Sequence, residues 1–172
     1  GRIEQALEDN GLSENTLIVF TSDNGGAGYI GLPNINKPYR GWKLDHFEGG
    51  IHVPFAAKWP AKIKPGSVMP APVHHVDLFR TFAAAAGAQV PTDRTLDGVD
   101  LLPFVRGEAS GVPHETLFWR EGYHQSVLNG GWKLIRADQP DQPAGTPRKK
   151  WLFNLTADPT EQHNLAAQML DK

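Results

Sequence analysis

Asp23 and Asn24 stand at the end of an unbroken apolar run, Thr16-Leu-Ile-Val-Phe20, inside Thr21-Ser-Asp-Asn-Gly25. A carboxylate beside an amide oxygen is a pair of hard donors of the kind that Ca²⁺ or Mg²⁺ takes. Two donors fill only part of the six to eight oxygen positions that Ca²⁺ prefers. The bland alternative is an Asx turn, in which both side chains bond nearby backbone. Further along come Arg40-Gly-Trp-Lys43 and Phe47-Glu-Gly-Gly-Ile-His-Val-Pro54. An ammonium fixed near a metal is what an anionic substrate needs, although most lysines are solvated surface charges.

These residues require a strand end to hold them. The apolar run follows a helix-like stretch, Arg2–Glu8, and reads as a strand buried on both faces of an α/β sheet. Ligands of such sheets gather beyond the carboxyl ends of the strands, where Asp23 and Asn24 would project. Ile3, Ala6 and Leu7 share a helical face, and Asn10-Gly11 is a stop signal with glycine at the left-handed position. A Gly/Pro/Asn-rich loop covers 25–38, and Val53–Trp59 reads as a second buried strand closed by Pro60. Val76, Phe79, Phe82, Ala83 and Ala86 have helical spacing, with Gly87 as cap.

From residue 112 the pattern turns antiparallel. Short strands are expected at Glu115–Arg120, Gln125–Leu128, Lys133–Ala137 and Trp151–Leu155, with Asn129-Gly130-Gly131 as a hairpin turn. A polar loop is expected over 141–150. Asp158-Pro159-Thr160-Glu161 has the form of a capping box that opens a helix. The expected fold class is α/β, divided into an α/β part over 1–111 and an antiparallel-sheet subdomain with a terminal helix over 112–172.

Composition excludes several roles. A formal charge of −2 gives no electrostatic reason to expect nucleic acid or an anionic membrane as partner. No apolar stretch approaches the ~18 residues of a spanning helix. The absence of cysteine rules out disulfides and thiolate metal sites. The seven histidines show no zinc-like spacing, and neither a phosphate loop nor a Gly-x-Ser-x-Gly elbow is present. Five Trp and eight Phe are enough to anchor a core.

Thr21–Gly25, Arg40–Lys43, Phe47–Gly50, Trp59-Pro60, His75-Val-Asp-Leu78 and Phe153–Glu161 with Asn164-Leu165 occur in an order that resembles the C-terminal part of a type I sulfatase. That family belongs to the alkaline phosphatase superfamily, and the resemblance covers nearly the whole chain. It implies that Asp23 and Asn24 ligate Ca²⁺ or Mg²⁺ and that Lys43 contacts the sulfate group. His46 is a substrate-facing candidate, against the blander reading of a hydrogen-bonded or exposed histidine. His52 stands where many relatives carry Arg, and Glu48-Gly49-Gly50 is expected to shape its loop. The family's nucleophile is a formylglycine made from Cys or Ser in a Cys/Ser-x-Pro/Ala-x-Arg motif, which this sequence lacks, as it lacks the paired aspartates that complete the metal site. The expectation is therefore a portion, inactive alone, of an enzyme that hydrolyses aryl sulfates or sulfated glycans, with its N-terminal half as partner, self-association through torn surfaces, and a periplasmic or secreted location. The alternatives are a phospho- or phosphonate-ester hydrolase of the same superfamily and a non-catalytic module that binds glycans or a partner chain.

Overall fold

The computed structural model describes residues 1–137 and 149–169. The chain forms two compact units that do not follow chain order: Gly1–Phe20 joins Phe55–His114, and Thr21–Pro54 joins the described part of Glu115–Lys172.

In the first unit, α1 (Arg2–Asp9) ends as the sequence predicts. Gly11 adopts φ 66°, its N–H donates to Glu8 O at 2.9 Å and that of Leu12 to Leu7 O at 2.8 Å. This is a Schellman cap, which needs a residue free of the left-handed penalty. Gly87, at φ 66°, closes α3 (Asp77–Ala85) in the same way, with bonds from Gly87 to Ala84 and from Ala88 to Ala83. Strands β1 (Ile18–Thr21) and β2 (Phe55–Lys58) pair with each other. Their expected burial on both faces is not found. Phe20 is 69 % exposed, and Ala56, Ala57 and Lys58 are exposed. Among the described residues the two strands form a sheet on their own, so each leaves an edge and part of a face uncovered. The core of this unit lies instead around Trp59, Leu101 and Leu102, which starts the short helix α4 (Leu102–Val105).

Asp77 anchors the start of α3 from full burial. Its carboxylate accepts the N–H of His74 at 2.8 Å and of Val99 at 2.9 Å, and lies 2.8 Å from His114 Nε2. Thr81 Oγ1 accepts the Leu101 N–H at 3.0 Å, so the two buried polar side chains of α3, Asp77 and Thr81, tie down the chain that precedes α4.

The second unit rests on a four-stranded antiparallel sheet: β3 (Thr116–Glu121), β4 (His124–Asn129), β5 (Trp132–Ala137) and β6 (Lys149–Asn154), in that order. All four expected strands are present. Asn129 pairs with Trp132 across a two-residue turn in which Gly130 and Gly131 have φ 52° and 83°. Two successive positive φ values define the primed turn whose twist matches the strands. One face carries Ile135, Trp151 and Phe153, against which Phe47 packs edge-on at 5.4 Å from Trp151. Ile135 and Phe153 are completely buried, each worth about 2–3 kcal/mol in apolar transfer.

Two expectations need correction here. Of the polar loop over 141–150, residues 149–150 already belong to β6, and the rest lies outside the described residues. The helix expected after Asp158 does not form over 158–169. Asp158 does cap, accepting the N–H of Gln162 at 3.1 Å and His163 at 2.7 Å. Glu161, however, has φ 57°, which breaks a right-handed helix, and its carboxylate turns inward to Lys133 and Glu48 instead of back to the cap. Among the described residues no helix is long and apolar enough to cross a membrane.

Candidate active-site loops

The Asp23-Asn24 turn is built by its own side chains. Asp23 Oδ1 accepts the Asn24 N–H at 3.0 Å, Asn24 Nδ2 donates to Gly25 O at 2.9 Å, and Ser22 Oγ donates to Asn24 O at 2.8 Å. The side chain to backbone bonding of the bland reading is therefore present, although Asp23 reaches the next residue rather than the second one on that an Asx turn requires. Asp23 Oδ2 and Asn24 Oδ1 have no hydrogen-bond partner among the described residues. Two unspent hard oxygens on adjacent residues fit a Ca²⁺ or Mg²⁺ ion as part of its shell. Among the described residues no cluster of three His, Asp or Glu completes it.

Two glycine-rich contacts fasten this turn to the Lys43 segment. Lys43 N–H donates to Gly26 O at 3.1 Å, and Gly25 N–H donates to Gly50 O at 2.8 Å. Asn36 bridges as well, accepting from Gly26 N–H at 2.7 Å and donating to Gly26 O and Gly41 O. The backbones approach so closely that a Cβ on Gly25 would collide with the Gly49 carbonyl, and one on Gly50 with the carbonyls of Asp45 and Trp42. Glycine at these positions is a requirement of contact. Lys43 itself is half-buried, and its ammonium has no carboxylate partner among the described residues. Next to it Leu44 sits at φ 80°, a conformation a branched side chain adopts only where its surroundings impose it. Asp45 Oδ2 holds the Trp42 N–H at 3.0 Å and closes that turn.

His46 is buried. It is 6 % exposed, packs edge-on against His124 with centroids 6.0 Å apart, and burial first, then His124, pushes its pKa below the usual histidine range. Its Nδ1 has no partner among the described residues. The structure thus brings the Asp23-Asn24 and Lys43 loops together and buries His46 against His124.

A buried ionic cluster, absent from the sequence reading, supports the Lys43 segment. Lys133 is fully buried on β5, its Nζ 2.7 Å from Glu48 Oε1 and 2.9 Å from Glu161 Oε1, the latter an ion contact off the hydrogen-bond axis. Glu48 opens the one-turn helix α2 (Glu48–Ile51), and its N–H donates to Glu161 Oε2 at 2.7 Å. Its other oxygen, Oε2, meets His52 Nδ1 at 2.6 Å, while the His52 ring stacks on Tyr39 at 4.5 Å. Burial raises the Glu48 pKa, but the bonds from His52 and Lys133 outweigh it and hold the group below its ordinary range. The bond to Glu48 raises His52 against its own burial, whereas burial keeps Glu161 raised despite Lys133. Sequence offers little signal for this cluster, because its members lie 85 and 113 residues apart.

With the geometry in hand, similarity to known proteins can be placed on it. A family model described as Sulfatase matches residues 1–88, which contain every residue of the two loops. Steryl-sulfatase of Mus musculus is 35 % identical over 98 % of this chain and 32 % of its own length. The crystal structure of Ps i-CgsB superposes with TM-score 0.80 at 33 % identity, covering 99 % of this chain and 37 % of that one. BT4656, solved in complex with its substrate D-glucosamine-2-N,6-O-disulfate, superposes with TM-score 0.72 at 26 % identity, over 98 % and 34 %. The chain spans about a third of the length of these relatives. The mixed α/β fold superposes on theirs over nearly its whole length, and this chain belongs to the sulfatase family.

Proposed function

We propose that this chain is part of a sulfate-ester hydrolase and supplies one side of its active site. The observation that carries the reading is the fastening of the Asp23-Asn24 turn to the Lys43 segment by the Lys43–Gly26 and Gly25–Gly50 bonds. Asp23 Oδ2 and Asn24 Oδ1 would hold Ca²⁺, with Mg²⁺ as the smaller alternative, and the ion would supply charge stabilisation at the ester oxygens. Lys43 presents toward the same anionic group an ammonium with no carboxylate partner among the described residues, a preorganised charge that stabilises negative charge developing on the leaving oxygen. His46, buried under the loop, is disfavoured by that burial as a direct substrate contact. The substrate class is an aryl or steryl sulfate or a sulfated glycan, the classes that the names of the relatives span.

The formylglycine nucleophile and the remaining metal ligands have no counterpart in this sequence, so the chain alone is inactive and depends on an N-terminal portion as partner. In this reading residues 1–111 belong to the catalytic α/β domain and 112–172 to an antiparallel-sheet subdomain. The exposed Phe20, Phe79 and Phe82 are surfaces for that partner or for self-association. A secreted or periplasmic location is part of this reading, supported only by the family resemblance.

Calorimetric titration of Ca²⁺ into the chain and into Asp23→Ala tests the metal site: weak binding by the parent and none by the variant is expected. Assays on p-nitrophenyl sulfate and phosphate test the reaction. The chain alone should turn over neither, and mixing with a formylglycine-bearing N-terminal portion of a relative should restore sulfate hydrolysis in the parent but not in Lys43→Ala. Preferential hydrolysis of the phosphate would replace sulfate by phosphate as the substrate.

A further inference from the structure

We propose that Glu161 is a positioning residue that clamps both ends of the segment carrying Lys43 and, through it, the Asp23-Asn24 turn. The proposal rests on the reading of those three residues given above. At the far end of the segment, Glu161 Oε2 accepts the Glu48 N–H at 2.7 Å. At the near end, its backbone carbonyl accepts Arg40 Nη1 at 3.2 Å, while the Arg40 guanidinium lies over the Phe47 ring at 4.3 Å. One residue thereby holds positions 40 and 48, with Lys43 between them. Glu161 makes both contacts from a left-handed backbone, φ 57°, at a conformational cost for a residue with a Cβ.

The clamp reaches the metal turn through short backbone bonds. Gly49 N–H donates to Arg40 O at 2.6 Å, closing the segment on itself, and Gly50 O receives the Gly25 N–H at 2.8 Å. Stability alone is a poor account of the cluster, because apolar residues of similar volume commonly replace a buried ion pair without loss. Directionality is what the charged set adds. Lys133, fully buried, fixes the carboxylates of Glu48 and Glu161 on one point, and the fixed Glu161 then orients the backbone of α2. Glu161 lies in the tail beyond the last strand and touches neither Asp23 nor Lys43 directly, so its effect is exerted through α2 and the Arg40 turn.

Amide hydrogen exchange on the full chain, read residue by residue for the parent, Glu161→Gln and Glu161→Ala, tests the proposal. Loss of a charged acceptor should speed exchange at Gly25, Lys43 and Gly49 by about tenfold or more in Glu161→Ala. The glutamine variant keeps an acceptor for the Glu48 N–H and should stay within about threefold of the parent at those amides. Exchange in β4 and β5 should be unchanged in both. Unchanged exchange at Gly25 and Lys43 in Glu161→Ala would overturn the proposal. So would an equal rise across β4 and β5, since that marks a general loss of stability. Should the alanine variant fail to fold, Glu161→Asp, whose shorter side chain keeps the charge but draws the acceptor away from the Glu48 N–H, takes its place: a rise confined to Gly25, Lys43 and Gly49 supports the clamp, and no rise there overturns it. Calorimetry with Ca²⁺ on Asp23→Ala separates the two readings: undiminished affinity would remove the metal assignment and leave the exchange result on Glu161 standing.

Discussion

Each compact unit buries a charge completely, and the two do it by different chemistry. In the first, Asp77 is satisfied by neutral backbone donors, His74 N–H and Val99 N–H, with His114 as its side-chain partner. In the second, Lys133 is enclosed by two carboxylates, one of which is shared with His52. The first arrangement spreads one charge over dipoles, and losing one contact leaves the others in place. The second balances charge against charge, so each member depends on the others. Fixed dipoles make a tolerant anchor, whereas mutually dependent ions make a sensitive one, and it is the sensitive one that lies under the candidate active-site loops.

Removing Lys133 is the strongest way to challenge this contrast. Lys133→Met leaves Glu48 and Glu161 buried together without their cation and should destabilise the second unit by about 3–5 kcal/mol, measured by denaturant unfolding. Adding Glu161→Gln to that variant should recover part of the loss; no recovery would mean that the carboxylates do not interact. Asp77→Asn is the matching change in the first unit. It keeps one acceptor oxygen and turns the other position into a donor facing backbone N–H, for an expected loss of about 1–3 kcal/mol by the same measurement. A loss as large as that of Lys133→Met would erase the distinction.

The pH dependence gives a smaller effect. His52 has a raised pKa, so its stabilisation is complete below the ordinary 6.5 and is lost as pH climbs through the raised value. Glu48 has a lowered pKa, so its share is complete above the ordinary 4.5 and is lost as pH falls through the lowered value. The pair therefore acts at full strength between those two ordinary values. Replacing His52 by Gln should flatten the alkaline limb of a stability–pH curve by less than about 1 kcal/mol, since the imidazole is half in solvent. Least of all, Arg94→Ala should leave the unfolding midpoint unmoved, because the Asp93–Arg94 contact at 2.9 Å is between two exposed side chains.

What the sequence made readable was short in range. The two Schellman ends at Gly11 and Gly87, the Gly130-Gly131 turn and the four strands each depend on a few adjacent residues, and each was found. The order of motifs likewise announced the family that the comparisons bear out. Asp158–Glu161 shows where such reading fails. Its residue types match a capping box, but Glu161 gains more from a buried ammonium than from its local N–H, and the helix gives way. Gly49 and Gly50 are expected from sequence to shape their loop, but nothing in the sequence shows that they and Gly25 are places where backbones touch. Burial of β1 and β2 was inferred from apolar content, yet burial depends on what covers a strand, which its own residues do not encode.

The separation of Glu48 from its partners also sets an order of events during synthesis. Glu48 leaves the ribosome 85 residues before Lys133 and 113 before Glu161. At ordinary translation speeds the second gap lasts roughly 6–20 seconds. For that interval Gly49 and Gly50 have no clamp behind them, and the nascent Asp23-Asn24 turn has only its own side chains to shape it. The candidate active-site loops, although encoded early, are among the last parts of this chain to acquire their final form, and a stalled or truncated translation product would carry them unformed.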